Sequence, residues 1–224
     1  MKKLVIFDLD GTLLNTLADL AASTNQALRL HGFPEHATDK YKLFVGNGIH
    51  KLFERALPEG AKTEANVQRI REAFLAYYDV HNTDLSRPYP GIPELLERLQ
   101  QSGVMLAVAS NKYQRATAKL IAHYFPNIRF AAVLGQREGV PAKPDPTVVH
   151  EILASTGVSA DQAGYVGDSG VDMETAQRSG VWACGVTWGF RLRTELIDAG
   201  ADEVADTPEQ IGNWVEEATE VRKH

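Results

Sequence analysis

The stretch LVIFDLDGT at residues 4–12 decides the expected fold. Its first four residues form an apolar run, which is typical of a strand buried on both faces of a parallel sheet. Asp8 and Asp10 follow at once, and because residues two apart in an extended chain point the same way, both carboxylates can face one site. Open α/β sheets bind ligands at the carboxyl ends of their strands. The stretch therefore predicts a polar site at the edge of a sheet.

Further short apolar runs predict the other strands of this sheet. They are Val104–Ala109, Ala131–Leu134, Ala163–Val166 and Val181–Val186. Each is too short for a helix and reads as a buried strand of the same kind as the first. Cys184 lies inside the last run and is expected to be a small core residue.

Helical patterns separate these runs. Ile92–Gln101 has Pro93 near its start and Gly103 just past its end, the usual asymmetry of a helix. Asp145-Pro146 predicts the start of another helix, and Thr207–Gln210 fits a capping box before a last one. Strands that alternate with helices from about residue 90 onward predict an α/β fold with a doubly wound parallel sheet, a Rossmann-like core.

The segment from about Thr16 to Arg87 has a different pattern. It contains helical stretches at Leu17–Leu30, Ile49–Leu57 and Ala65–Tyr78 and no convincing strand. The first strand is thus separated from the rest of its sheet by helices, as in an inserted cap. We expect an α/β core of residues 1–15 plus 88–224 and a helical cap domain of residues 16–87. The hinges are expected near residues 14–16 and 87–91.

Composition excludes several classes of protein. The net charge of −6 argues against a general nucleic-acid binder, which needs clustered Lys and Arg. One cysteine excludes an intramolecular disulfide framework and a multi-Cys zinc site, and the seven histidines show no metal-ligand spacing. No apolar run approaches the roughly 20 residues that span a bilayer. We expect a cytoplasmic, soluble protein without nucleic-acid or membrane partners, either monomer or homodimer.

A second acidic pair follows the run Ala163–Val166. Asp168 and Asp172 lie four residues apart and share a face if a helix begins near Ser169. They are either further carboxylates of a metal site or an N-cap and a first-turn acid that the helix dipole favours. Asp8 and Asp10 also have two interpretations. They belong to a site where a cation such as Mg²⁺ or a proton offsets the repulsion between close carboxylates, or they belong to a turn and a solvated strand end that need neither.

Two further pieces can bind an anion. Ser110-Asn111 follows a predicted strand and supplies a hydroxyl, an amide and backbone N–H groups. Lys143-Pro144 precedes a predicted helix, and lysine is a compact charge suited to a phosphoryl oxygen. Each alone is equally a common turn pair or a surface lysine. Together with the two acidic pairs they all follow predicted strands, so one sheet would bring them to one edge.

These pieces, in this order, resemble the four motifs of the haloacid dehalogenase superfamily of phosphohydrolases. The resemblance covers nearly the whole chain, including a cap inserted after the first motif. The chain most resembles the phosphoglycolate phosphatase branch, whose sequence motifs are similar at the following positions: Leu13-Leu14, Ser110-Asn111-Lys112, Lys143-Pro144-Asp145-Pro146 and Gly185–Gly189. The chain departs from that branch at Asn15, where Asp is common, and so lacks one charge near the expected hinge.

The resemblance implies a mechanism. Asp8 would attack phosphorus and become an aspartyl-phosphate, while Asp10 would protonate the leaving alkoxide and then activate water. Dehalogenases lack the second aspartate because a halide needs no proton, so Asp10 implies phosphate chemistry. Mg²⁺ would be held by the Asp8 carboxylate, the Asp10 backbone carbonyl and Asp168, with Asp172 behind them orienting Lys143 or a water. The remaining implied contacts to substrate are Thr12, Ser110, Asn111 and Lys143.

Substrate choice is expected to depend on the cap. Gly46–His50 resembles the family's cap loop that reaches over the site, and Gly46, His50 or Lys51 would then meet an anionic substrate group. The same stretch also fits a flexible connection between helices. Arg191 and Arg193 are either further substrate contacts or a solvated face.

The expected function is a Mg²⁺-dependent phosphomonoester hydrolase acting on a small phosphorylated metabolite, with phosphoglycolate favoured. Four alternatives remain open at this point. They are a pyrophosphatase, a sugar or nucleotide phosphatase, a phosphomutase of the same fold, and a catalytically dead relative that binds a phosphorylated ligand. The last ranks lowest because Asp8, Asp10 and Lys143 are all present.

Overall fold

The computed structural model describes residues 2–217. In chain order the strands are β1 (Leu4–Phe7), β2 (Leu14–Asn15), β3 (Arg87–Pro88), β4 (Met105–Tyr113), β5 (Phe130–Gln136), β6 (Ala163–Gly167), β7 (Trp182–Val186) and β8 (Glu203–Ala205). The helices are α1 (Leu17–Leu30), α2 (Gly48–Ala56), α3 (Glu64–His81), α4 (Ile92–Gln101), α5 (Gln114–Tyr124), α6 (Thr147–Thr156), α7 (Gly170–Ser179), α8 (Arg193–Asp198) and α9 (Pro208–Glu217).

The larger sheet has six parallel strands in the order β5-β4-β1-β6-β7-β8. Strand β1 lies between β4 and β6, and all four of its residues are fully buried. Val5 and Phe7 pack in the core on one face of the sheet, whereas Leu4 and Ile6 pack on the other. Burial on both faces explains why the run is apolar without alternation. The predicted α/β fold with a doubly wound parallel sheet is confirmed.

Along the chain, three helices, α1, α2 and α3, come between β1 and the other strands of the six-stranded sheet. These helices share a separate apolar core. The short antiparallel pair of β2 and β3 lies at the two ends of this insertion, with Leu14 opposite Pro88 and Asn15 opposite Arg87. Asp19 ties the same ends together, because its buried carboxylate accepts hydrogen bonds from Leu85 N and from Ser86 N and Oγ. The domain ranges 1–15 plus 88–224 and 16–87 stay a prediction.

Several elements differ from the sequence-based expectation. Strand β4 continues to Tyr113, four residues beyond the expected end at Ala109, so Ser110 and Asn111 lie within the strand. The edge strand β8 and helices α5 and α8 were not expected. Within residues 2–217, no helix combines the length and the apolar character needed to cross a membrane.

Candidate active site

The predicted site residues meet at the carboxyl edge of the six-stranded sheet. Asp8 follows β1 directly and Asp168 follows β6. Ser110 and Asn111 lie in the last part of β4, and Lys143 lies in the connection between β5 and α6. Because neighbouring parallel strands end at the same edge, residues more than a hundred positions apart become neighbours.

Lys143 is the centre of the buried part of the site. Its Nζ donates to Asp172 Oδ1 at 2.6 Å, to the Tyr165 hydroxyl at 2.8 Å and to Asp8 Oδ1 at 3.0 Å. The Tyr165 hydroxyl in turn donates to the Ala109 carbonyl at 2.8 Å, which turns its lone pair toward the ammonium group. Three acceptors match the three hydrogens of the ammonium group, so its position is fixed.

Asp172 serves two purposes at once. It is the third residue of α7 and forms a capping box with Ser169: its Oδ2 accepts from Ser169 N at 3.1 Å and from Ser169 Oγ at 2.7 Å. Its other oxygen binds Lys143. Asp172 is therefore the first-turn acid that the sequence offered as one alternative, and its part in a metal site stays a prediction. The alternative reading of Asp168 as the N-cap is wrong, since Ser169 occupies that position.

Asp168 is held by the chain that follows β7. Its Oδ2 accepts a hydrogen bond from Phe190 N at 2.7 Å. Gly11 and Gly189 both approach it so closely that a Cβ on either would lie less than 2.5 Å from an atom of Asp168. Gly11 also has a φ of +87°, which only glycine adopts without strain. These two glycines fix where the Asp168 carboxylate lies.

Two carboxylates at this edge, those of Asp8 and Asp168, have raised pKa values. Burial raises the pKa of Asp8 to about 6; Lys143 opposes this shift, and Asp172 and Asp10 add to it. Burial, Asp172 and Asp8 raise the pKa of Asp168 well above its usual range. Burial alone would lower the pKa of Lys143, but the neighbouring Asp172 and Asp8 outweigh it and raise that pKa. One lysine does not compensate the surrounding acids.

A divalent metal ion fits this donor set. Carboxylate oxygens of Asp8, Asp168 and Asp172 lie within 4.8 Å of one another, and all three residues are buried. Hard cations such as Mg²⁺ bind oxygen ligands, and a positive ion would favour the charged forms of Asp8 and Asp168, whose pKa values burial raises. Both Asp172 oxygens already accept hydrogen bonds from Lys143 and Ser169, which leaves Asp8 and Asp168 as the freer carboxylates.

Asp10 lies apart from this cluster and has its own partners. Lys112 Nζ donates to both of its carboxylate oxygens at 3.0 Å. Thr16 Oγ1 donates to Oδ1 at 2.6 Å. Thr16 immediately precedes α1, the first helix of the insertion, so the orientation of Asp10 depends on both parts of the chain.

The end of β4 is irregular in a way that serves the site. Ala109 pairs with Leu134 and Tyr113 with Gln136, so an advance of four residues along β4 corresponds to an advance of two along β5. In a regular strand the side chains of Ser110, Asn111 and Lys112 would alternate between faces. Here all three residues border the same cleft.

A cleft that is partly open to solvent separates the sheet edge from the inserted helices, with about 440 Å³ of space between them including the open part. On the sheet side it is bordered by Asp8, Asp10, Ser110, Asn111 and Lys112. On the other side it is bordered by Leu20, Val45, Gly46, Gly48, Ile49 and Leu52. Asn111 Nδ2 bridges the two sides by donating to the carbonyls of Gly46 and Lys143, each at 3.1 Å. The opening is thus polar and charged at the sheet and largely aliphatic at the helices.

Four predicted substrate contacts are not among the residues that border this cleft: His50, Lys51, Thr12 and Lys143. The His50 side chain is 54% exposed, and its Nε2 lies 3.7 Å from Glu64. Thr12 is fully buried beside the site, where its carbonyl accepts from Trp188 Nε1 and its hydroxyl has no hydrogen-bond partner among residues 2–217. Lys51 pairs with Glu54 on the exposed surface of α2. Substrate roles for His50 and Thr12 stay predictions.

Arg191 is not on a solvated face, and it is not among the residues that border the cleft. Its guanidinium donates to the carbonyls of Lys42 and, at 2.7 Å, of Val45 in the inserted segment. The side chain is only 14% exposed, and these hydrogen bonds join the chain after β7 to the inserted segment. Arg193, by contrast, forms an exposed ion pair with Asp206.

Sequence reasoning missed two side chains that shape the site. Tyr165 lies in the run Ala163–Val166 and passes for a core aromatic residue, although a buried tyrosine hydroxyl needs a hydrogen-bond partner. Lys112 was noted only for its resemblance to the family, whereas the structure shows its side chain 2% exposed and bonded to Asp10. No signal in the sequence pointed to its burial, because the predicted strand ends at Ala109 and leaves Lys112 outside it.

Comparison with known proteins supports the same interpretation. Residues 5–186 match the haloacid dehalogenase-like hydrolase family. The phosphoglycolate phosphatase of Haemophilus influenzae (strain 86-028NP) is 34% identical over 215 residues, which are 93% of this chain and 96% of that protein. The phosphoglycolate phosphatase of Aliivibrio fischeri is 33% identical over 210 residues, covering 91% and 92% of the two chains.

Solved structures agree. A crystal structure from Lactobacillus delbrueckii subsp. bulgaricus, provisionally named a phosphoglycolate phosphatase, superposes with a TM-score of 0.90. It is 34% identical in sequence, and the match covers 96% of this chain and 99% of that one. The fold, the carboxylate cluster and these similarities define the class of protein: the chain belongs to the haloacid dehalogenase-like hydrolases. It is a phosphatase of that family.

Proposed function

We propose that this phosphatase is a Mg²⁺-dependent phosphomonoester hydrolase that acts on a small phosphorylated metabolite, with phosphoglycolate the favoured substrate. The observation that carries the proposal is the arrangement of Asp8: its Oδ1 lies 3.0 Å from Lys143 Nζ, and the residue borders the same cleft as Asp10. A nucleophile beside a fixed cation and a second acid is what phosphoryl transfer through a covalent intermediate requires.

The proposed reaction has two steps. An Asp8 carboxylate oxygen attacks phosphorus, the bond from phosphorus to the bridging oxygen breaks, and Asp10 gives its proton to the departing alkoxide. Asp10 then takes a proton from a water molecule, whose oxygen attacks phosphorus and releases phosphate and the free Asp8 carboxylate. Splitting the reaction in this way replaces one difficult displacement by two easier ones.

Other residues of the edge hold the phosphoryl group during these steps. The Ser110 hydroxyl, the Asn111 amide and Lys143 are the proposed donors to its non-bridging oxygens, because fixed donors stabilise developing charge without reorganising. Ser110 and Asn111 are only 5% and 6% exposed, and Asn111 also bonds to the backbone of Lys143 in both directions. These bonds fix Asn111 relative to Lys143.

The metal would be held by Asp8, Asp168 and the backbone carbonyl of Asp10. When bound there, Mg²⁺ would neutralise charge on the phosphoryl group. Asp172 would remain outside the ligands and keep Lys143 in place, consistent with its 2.6 Å hydrogen bond to that residue. The domain division given above is part of the same proposal: residues 16–87 would close over the site.

A small substrate is favoured by the cleft. The cleft is bordered on one side by the sheet edge and on the other by the inserted helices and the loop before α2. Five of its bordering residues, Val45, Gly46, Gly48, Ile49 and Leu52, belong to the cap loop and α2. A large phosphorylated macromolecule would have to displace them. The names of the relatives favour phosphoglycolate within the class of small phosphomonoesters.

The test is phosphate release from a panel of esters in Mg²⁺. The panel contains phosphoglycolate, glycerol phosphate, a hexose phosphate, a nucleoside monophosphate and pyrophosphate. Wild type is compared with Asp8→Asn and with a matched control, Asp198→Asn, at an exposed position of α8. We expect turnover to be highest with phosphoglycolate. Asp8→Asn and excess EDTA should each abolish this turnover, whereas Asp198→Asn should preserve it. Undiminished turnover in Asp8→Asn would overturn the proposal, and a requirement for a sugar bisphosphate would indicate a phosphomutase.

A further inference from the structure

We propose that Lys112 recognises a second anionic group of the substrate, a carboxylate on the leaving-group side of the phosphate. The inference rests on the proposed hydrolysis of a small phosphomonoester and names the residue that selects among such esters. It assigns to Lys112 a binding role separate from the phosphoryl contacts of Ser110, Asn111 and Lys143.

The position of Lys112 in the cleft supports this role. Among the described residues that border the cleft, Lys112 carries the only cationic side chain. That side chain is 2% exposed, so its charge acts in a poorly solvated environment where ionic hydrogen bonds are strong. Gly135 allows β5 to pack closely against the backbone of Lys112, since a Cβ at Gly135 would lie 2.5 Å from the Lys112 carbonyl oxygen.

Other cations near the cleft are already committed elsewhere. Arg191 donates to the cap carbonyls of Lys42 and Val45, and Lys51 pairs with Glu54 on the surface. The helical side of the cleft offers aliphatic side chains, among them Leu20 and Ile49. An anionic group that enters away from the phosphate therefore finds one cation among the described residues.

Lys112 retains hydrogen-bonding capacity for such a group. Two of the three hydrogens on Nζ are directed to the oxygens of Asp10, both at 3.0 Å. The third has no acceptor among residues 2–217, where Nζ instead lies 4.9 Å from the centre of the Tyr78 ring. Asp10 is held independently by Thr16 Oγ1 at 2.6 Å, so it keeps one anchor when Lys112 binds a second carboxylate.

The order of groups along the substrate places the carboxylate at this lysine. With phosphorus at Asp8, the bridging oxygen faces Asp10, the proposed proton donor. Because Lys112 Nζ is in hydrogen-bond contact with Asp10, this proposed placement puts it near the first group beyond the bridging oxygen. In phosphoglycolate a single methylene group separates that oxygen from the carboxylate. A neutral alkyl phosphate of the same length would gain nothing from Lys112.

The test uses two phosphonates that cannot be hydrolysed and differ in charge only at the far end. In 3-phosphonopropionate a methylene replaces the bridging oxygen of phosphoglycolate, and propylphosphonate lacks the carboxylate. Calorimetric titration in Mg²⁺ gives both dissociation constants for wild type, Lys112→Gln, Lys112→Arg and the matched control Lys62→Gln. Lys62 pairs with Glu59 on the cap surface and does not border the cleft. Gln keeps a hydrogen bond to Asp10 but removes the charge.

We expect wild type and Lys62→Gln to bind the carboxylate-bearing phosphonate at least about tenfold more tightly, the scale of an ionic hydrogen bond. Lys112→Gln should bind both about equally, and Lys112→Arg should retain a preference. A wild type without preference, or a preference unchanged in Lys112→Gln, would overturn the inference, and the latter would show that Lys112 only orients Asp10. Because binding is measured without turnover, failure of the proposed hydrolysis would appear separately, as absence of phosphate release.

Discussion

The ammonium nitrogen of Lys143 lies 2.6 Å from Oδ1 of Asp172, and their side chains are 3% and 1% exposed. Asp8 shares the same ammonium group at 3.0 Å. A buried charge pair of this kind contributes little net stability compared with apolar residues, but removal of one partner leaves the other charged and unpaired. The pair therefore makes the site sensitive to any change of its cation.

We expect Lys143→Met to lower the free energy of unfolding by about 3–5 kcal/mol and to abolish phosphate release. Two buried carboxylates, Asp8 and Asp172, would then lack their shared cation. Urea denaturation at neutral pH measures the loss, with Lys62→Met as a control at a surface lysine. A loss below about 1 kcal/mol, the scale of an exposed ion pair, would contradict the energetic importance of this cluster.

Stability is expected to depend on pH through Asp8. Its pKa rises from an ordinary 3.8 to about 6 on folding, so between those pH values the folded state holds a proton that the unfolded state has released. The free energy of unfolding therefore falls as the pH rises through this window, and Asp168 acts in the same direction. The proposed Mg²⁺ ion would bind the charged carboxylates, so its addition should restore stability above pH 6.

Thermal unfolding from pH 4 to 8, in EDTA and in Mg²⁺, tests this expectation. The difference between wild type and Asp8→Asn isolates the contribution of Asp8 from other acids. In EDTA, wild type should lose stability relative to Asp8→Asn between pH 4 and 6, and Mg²⁺ should stabilise wild type more than the variant at pH 8. A relative gain for wild type over the same interval would show that the sign is wrong.

Gly11 offers a matched test of how Asp168 is positioned. Gly11 and Gly103 have similar φ values, +87° and +77°, but a Cβ meets Asp168 at 2.3 Å at Gly11 and nothing within 4 Å at Gly103. Both alanine variants should lose about 1–2 kcal/mol of stability from the left-handed backbone. Only Gly11→Ala should also weaken Mg²⁺ binding in a calorimetric titration. Equal Mg²⁺ affinities in the two variants would contradict the proposal that Asp168 is a ligand of the metal.

Arg191 is expected to hold the cap loop over the cleft. Replacing it by methionine removes its hydrogen bonds to the carbonyls of Lys42 and Val45, each worth on the order of 1 kcal/mol. We predict a rise in KM of about tenfold with a much smaller change in kcat, measured with the best ester of the panel. Arg193→Met removes an exposed arginine that pairs with Asp206 and should leave KM unchanged. Similar effects in both variants would contradict the prediction.

Much of the fold could be predicted from local patterns. Leu17–Leu30 and Ile92–Gln101 have the bounds expected from their periodicity, because each buries one face along its length. The edge strand Glu203–Ala205 could not be predicted, since three residues that include an exposed acid carry no alternation to detect. Its pairing with β7 depends on the finished sheet.

The candidate site, too, could be predicted only in part. Each acidic or basic motif could be placed at a strand end, but the contacts between motifs could not: Lys112 and Asp10 are 102 residues apart, and their meeting requires β4 beside β1. His50 shows the opposite failure. Its loop does border the cleft through Gly46 and Gly48, but the direction of a side chain on α2 depends on how the cap helices pack.

Substitution of Asp10 separates the two proposed chemical steps. Expulsion of an alkoxide needs a proton, whereas p-nitrophenolate leaves without one. Asp10→Asn should therefore reduce kcat/KM far more for phosphoglycolate than for p-nitrophenyl phosphate, by on the order of 10²-fold or more. The second step, attack of water on phosphorylated Asp8, lacks its base in this variant for either substrate.

The most direct measurement is a stopped-flow recording of p-nitrophenolate release by Asp10→Asn in Mg²⁺, followed by acid quench and peptide mass analysis. The account predicts a burst of one p-nitrophenolate per enzyme molecule, then slow turnover, with the phosphoryl group found on Asp8. The contradicting result is linear release without a burst, with no phosphoryl group on Asp8 and with continued turnover when Asp8 is replaced by Asn.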